Sequence, residues 1–182
     1  MKKEVLLKIA RDAIKEKFTN NLFIDKESLT KKYPFLSEDG AVFVTLNKDK
    51  DLRGCIGSLI PHRTLLNDII YNAQASAFDD VRFLPLSTEE FDDIDIEVSV
   101  LSKPQELKYS DTADLKNKII PNVHGVILEY QNRKATFLPQ VWEQLAEFEL
   151  FFSHLGQKAG LGTNVLELHP KIYTYIVESF SE

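Results

Sequence analysis

The chain has 182 residues, 43% of them hydrophobic and 27% charged, a balance that suits one globular domain with a sizeable core and argues against disorder. The formal net charge of -6 disfavours binding to nucleic-acid phosphates, because a broadly acidic surface repels them. The one cysteine, Cys55, excludes an intramolecular disulfide. The charged N-terminus MKKEVLLKIARDAIKEKF lacks a signal peptide's apolar stretch, and no run approaches the roughly 20 apolar residues of a membrane span. A soluble cytoplasmic protein with no membrane contact is expected.

Val5, Leu6, Ile9, Ala10 and Ala13 recur at helical spacing, which predicts a first helix. A short second helix is expected over Lys26 to Lys32, stopped by Pro34. Gly40 leads into the β-branched and aromatic run Ala41 to Leu46, a central strand. The polar turn Asn47 to Asp51 returns the chain along Leu52 to Ile60 as the other arm of a hairpin. Thr64 can cap a helix whose apolar stripe is Leu65, Leu66, Ile69, Ile70, Ala73 and Ala77, broken at Asp79-Asp80. Arg82 to Leu86 reads as extended around Pro85, and Ser87-Thr88-Glu89-Glu90 as the capping box of one short helix.

Ile94 to Leu101 alternates cleanly, with Ile94, Ile96, Val98 and Val100 on one face and Asp95, Glu97 and Ser99 on the other. Asp111 to Lys118 reads as helix, and Val123 to Tyr130 with Ala135 to Leu138 as a second hairpin. Helical pattern resumes at Val141. There Phe148, Phe151, Phe152, Leu155 and Ala159 share a face, and Gly160 is a C-cap. Lys171 to Val177 is the last strand expected. Strands fall in hairpins with helices irregularly between them, so the class is α+β with a mainly antiparallel sheet flanked by helices.

Chemistry concentrates in Leu52-Arg53-Gly54-Cys55-Ile56-Gly57. On a regular strand Arg53 and Cys55 share one face, with Leu52, Ile56 and Ile60 on the other. Gly54 and Gly57 allow close approach of a ligand or of another backbone, or a bulge. A cation near a thiol lowers its pKa and favours the nucleophilic thiolate. The plainer reading, a small buried hydrophobe beside Ile56, stands at about two to one over a nucleophile. None of His62, His124, His154 or His169 is placed beside Cys55 by spacing. Glu97, on the polar face of its strand, is a candidate base or orienter and a candidate partner for Arg53. Arg82 is a second anion contact, or else the local partner of Asp79 or Asp80. No C-x-x-C, H-E-x-x-H, phosphate loop or nucleophile elbow occurs, so no metal site is assigned and the cofactor stays open.

Read together, these segments resemble the AMMECR domain, whose bacterial and archaeal members are called AmmeMemoRadiSam system protein A. The matching blocks are Gly40 with Phe43 to Leu46, LRGCIG at 52–57, Ala73 and Ala77, Asp80-Val81-Arg82-Phe83, Pro85-Leu86, Glu89-Glu90 and Ile96 to Leu101. They continue through Gly125-Val126, Phe137 to Trp142 and Lys158 to Leu161. The chain departs from the family at Val81, where Pro is usual, and at Asn122, where Gly is common. The resemblance implies one domain over 1–182 built of two lobes, the second a smaller α+β lobe, with a cleft between them near LRGCIG. It also implies association with a Memo-like protein and a radical-SAM protein.

Three functions stay open on this reading. One is a small-molecule cleft, catalytic if Cys55 is the nucleophile, with Arg53, Gly54, Gly57 and Arg82 around the substrate and Glu97 as orienter or base. Another is a non-enzymatic accessory or interaction subunit for the two partners. The weakest is a nucleic-acid-associated regulator.

Overall fold

A computed structural model describes residues 2–182. The chain divides into two compact units, one of residues up to Leu101 plus Glu178–Glu182, the other Ser102–Val177. The architecture is α+β with two antiparallel sheets.

In the first unit, α1 (Lys2–Thr19) and α3 (Leu65–Phe78) pack on one face of a sheet ordered β2-β1-β4-β9. The strands are β1 (Asp39–Lys48), β2 (Asp51–Gly57), β4 (Ile94–Leu101) and β9 (Val177–Ser181), with the short β3 (Arg63–Thr64) paired to β1. Alternation decides which face is covered. Val42, Val44, Leu46, Ile96 and Val98 are fully buried and meet Leu6, Ile14, Ile69 and Ala73 from the helices. The expected apolar stripes of α1 and α3 are therefore the core faces. Asp49 and Lys50 both take positive φ (53° and 72°), as a tight two-residue hairpin turn requires. α2 (Lys26–Lys32) is capped by Asp25 and buries no residue.

The second unit has strand order β5-β8-β6-β7: β5 (Gln105–Glu106), β8 (Lys171–Tyr175), β6 (Gly125–Tyr130) and β7 (Arg133–Phe137). Its helices are α4 (Thr112–Lys118) and α5 (Phe148–Lys158). Trp142 stacks on Phe151 with ring centroids 3.6 Å apart, and its indole N–H donates to the His124 carbonyl at 3.0 Å. Around this pair Leu115, Leu128, Phe152, Leu155 and Ile172 form a core of their own. α5 ends as the sequence predicts. Gly160 is at φ 71°, with Leu161 N–H on the Gly156 carbonyl and Gly160 N–H on that of Gln157, a Schellman closure. Asn122 takes φ 63°, a left-handed conformation that asparagine tolerates better than most residues when glycine is missing.

Several expectations change. β2 stops at Gly57, not Ile60. Residues 139–143 form a 3-10 turn, and α-helix begins only at Phe148. Ser87–Glu90 is a turn, although the reciprocal capping bonds do form, Ser87 N–H to Glu90 and Glu90 N–H to Ser87 Oγ, both 3.3 Å. Arg82 and Phe83 also lie in a turn. The expected last strand stops at Tyr175, and the chain then crosses to the other sheet as β9. Nothing in the mixed pattern Val177-Glu178-Ser179-Phe180-Ser181 announced an edge strand.

Candidate functional site

The LRGCIG segment is β2, an edge strand, and its ladder with β1 is broken once. Leu52 opposes Asn47 and Gly54 opposes Leu46, so Arg53 is an extra residue without a partner in β1. Such a bulge reverses the side-chain alternation beyond it. Leu52 therefore lies opposite Asn47 on the same face as Cys55, not on the face predicted by simple alternation. Arg53 leaves the ladder for the loop 81–90. Its Nε and Nη2 donate to the two carboxylate oxygens of Glu90 at 3.1 and 3.0 Å, and Nη2 also donates to the Leu84 carbonyl at 3.0 Å. The expected Arg53–Glu97 pair is not formed; Glu90 is the carboxylate that reaches the bulged guanidinium. Arg53 Nη1 is buried without a hydrogen-bond partner.

Arg82 makes a similar clamp. It grips Asp80 through Nε (2.9 Å) and Nη2 (2.7 Å), and Nη2 lies 3.3 Å from the Cys55 carbonyl. Asp80 in turn accepts the Cys55 N–H at 2.9 Å. Both backbone polar groups of Cys55 on the free edge of β2 are thus taken by side chains, a device that blunts a sheet edge. Both guanidiniums also lie beside the Phe83 ring, at 5.8 Å for Arg53 and 5.4 Å for Arg82. The hydrogen bonds from Arg82 hold the Asp80 carboxyl well below the usual carboxylate range, against the opposing effect of burial. The bonds from Arg53 lower Glu90 to about 2 in the same way.

The inner side of the strand is fixed by a polar stripe that the sequence reading passed over. Asp68, Asn72 and Ser76 recur every four residues on α3, all but fully buried, and Asp80 continues the spacing beyond its end. Asp68 accepts from Val42 N–H (2.9 Å) and Ser58 Oγ (2.7 Å), with Arg63 at 3.2 Å. Asn72 donates to the Val42 carbonyl and to Asp68. Ser76 Oγ donates to the Val44 carbonyl (2.7 Å) and accepts from Ile56 N–H (2.9 Å), wedged between two strands that would otherwise bond each other. Room for this helix comes from Gly54. A Cβ there would lie 2.2 Å from the Ser76 carbonyl oxygen, and one at Gly57 would lie 2.3 Å from the Phe43 ring. In this structure protein atoms make the close approach at both glycines.

The outer face of the sheet carries the remaining candidates. Thr45 pairs with Cys55 on one side and with Glu97 on the other, so the three stand in a row across β2, β1 and β4. Thr45 Oγ1 donates to the half-buried Cys55 Sγ at 3.3 Å. Two strand spacings, about 10 Å, separate the Cys55 and Glu97 backbones. Glu97 accepts from Ser99 (3.2 Å) and Ser181 (2.9 Å), and Ser99 is bonded to Ser179 (2.7 Å). No hydrogen bond among the described residues joins the Cys55 thiol to an imidazole or a carboxylate; the contact it makes is with Thr45 Oγ1. His62 contacts Arg63, His124 accepts from Ile120 N–H, and His169 packs on Tyr109. Among the described residues no group of three or more His, Cys, Asp and Glu is placed to hold a metal ion, and no helix is long and apolar enough to cross a membrane.

Fold and site together define an α+β protein whose LRGCIG strand is clamped along its edge. The AMMECR1 family model matches residues 7–180, and the chain belongs to that family. It is 36% identical over 181 residues to a protein of Methanothermobacter thermautotrophicus, covering 97% of this chain and 92% of that one. It is 40% identical over 163 residues to a protein of Sulfolobus acidocaldarius, covering 86% of this chain and 70% of the relative. A crystal structure of an uncharacterized protein from Pyrococcus horikoshii matches with a TM-score of 0.80 at 34% identity, over 98% of this chain and 90% of that one.

Proposed function

We propose that this protein binds a small polar molecule on the outer face of its first sheet, and does so in association with Memo-like and radical-SAM proteins. The observation that carries the binding reading is the row Cys55, Thr45 and Glu97, fixed by the register of three strands. A thiol, a hydroxyl and a carboxylate across about 10 Å suit a molecule that reaches from a soft atom to a hydrogen-bond donor. Cys55 is the nucleophilic atom if the site is catalytic. Glu97 stands too far off to take its proton directly, so it serves as a ligand contact or acts through the bound molecule. Arg53, Gly54, Gly57 and Arg82 build the surface by holding β2 in place; apart from the unpaired Arg53 Nη1, the guanidinium groups donate to the protein.

The test is equilibrium dialysis of a metabolite extract against the protein, with retained compounds read by mass spectrometry. Wild type retains a compound that Glu97→Gln and Cys55→Ser release. Equal retention by all three, or none by wild type, refutes the reading. A second reading, an interaction subunit, is favoured by the exposure of Val81 (99%) and Leu84 (83%) on the loop that carries both clamps, since apolar side chains left this open mark partner contacts when clustered. On that reading Leu84→Asp abolishes co-purification of the partners and leaves metabolite retention intact.

A further inference from the structure

A cavity of about 330 Å³ lies away from the Cys55 strand, between α1 and α2. Val5, Lys8, Ile9 and Asp12 face it from α1, and Asp25, Ser28, Leu29 and Lys32 from α2 and its cap, both sets at the spacing of one helix face. Its apolar wall is Val5, Ile9, Leu29 and Phe23. Ile9 is its buried floor (2% exposed), and the outer part is poorly closed: α2 buries no residue of its own, and Phe23 keeps 41% of its surface exposed. An apolar cavity with a few charged groups at its edge is the usual form of a small-molecule site.

The charges decide what it takes. Asp12 is paired with Lys8 at 2.8 Å. Asp25 caps α2, accepting from Ser28 N–H (3.1 Å) and Ser28 Oγ (2.6 Å). Both carboxylates therefore have protein partners. Lys32 has no hydrogen-bond or carboxylate partner among the described residues and only the neighbouring Tyr33 ring at 5.3 Å. The geometry points to a site for a small amphiphilic monoanion, with its apolar body between α1 and α2 and its carboxylate at Lys32. A cavity of about 330 Å³ is at the small end of ligand pockets, and a medium-chain carboxylate is the class that joins one apolar body to one anionic end.

Octanoate is the probe, with 1-octanol as its neutral control, titrated into the full-length protein and followed by methyl and amide chemical shifts. Octanoate is expected to shift Val5, Ile9 and Leu29 saturably and to bind about threefold more tightly than 1-octanol, the return of one exposed ion pair. Lys32→Glu removes that preference without changing 1-octanol binding, and Lys32→Arg keeps it. Equal affinities for the two probes, shifts confined to other residues, or no saturable shift overturns the assignment.

Discussion

The Cys55 amide is 2.9 Å from a carboxylate oxygen of Asp80, and that carboxylate is gripped by Arg82. Arginine here acts on the thiol's neighbourhood by fixing the backbone that carries it. The same holds for Arg53, whose bidentate pair with Glu90 ties the bulge to the loop 81–90. Both carboxyls are held below their ordinary values, so each contributes stability that is present above the unfolded pKa and is lost as pH falls through the folded one. For Glu90 that window runs from the ordinary 4.5 down to about 2. Urea midpoints measured across this range are expected to fall for wild type and to fall less for Glu90→Gln; identical slopes would show that the pair contributes nothing. The glycines give a second prediction. Gly54→Ala pushes a methyl into the Ser76 carbonyl, an overpacking expected to cost about 1–3 kcal/mol or more, measured by urea unfolding.

At the level of elements, α3 does two jobs with two stripes. Its apolar stripe was legible because six residues repeat at helical spacing. Its polar stripe was present at the same spacing but looks, without a partner strand, like an ordinary solvated face. The partner is the opened ladder between Val44 and Ile56, into which Ser76 fits. Ser76→Ala leaves a buried carbonyl and a half-buried amide unpaired, with an expected cost of about 1–3 kcal/mol. Faster exchange of the Ile56 amide, followed by NMR, is the local sign; unchanged exchange would mean the two strands close on each other. β4 was readable to the residue because its alternation is strict. The bulge at Arg53 was not, since the sequence holds no sign of which β1 residue each β2 residue faces, and it redirected the arginine from Glu97 to Glu90. β9 was missed because an edge strand with polar residues carries little apolar period.

Taken as a whole, the chain holds two cores, one under each sheet, and its single tryptophan reports on the second. Phe151→Ala removes the ring stacked on Trp142 and is expected to cost about 3–5 kcal/mol, seen as an early transition in tryptophan fluorescence. The candidate row for ligand binding lies in the other unit, on the sheet face opposite α1 and α3, and it is there that function is proposed. The most direct measurement is the rate of Cys55 alkylation by iodoacetamide with and without a protein-free metabolite extract. The account predicts slower alkylation in the presence of extract for wild type, and loss of that protection in Glu97→Gln. Alkylation at the same rate with and without extract in wild type, with Cys55 shown to be reactive, would contradict it.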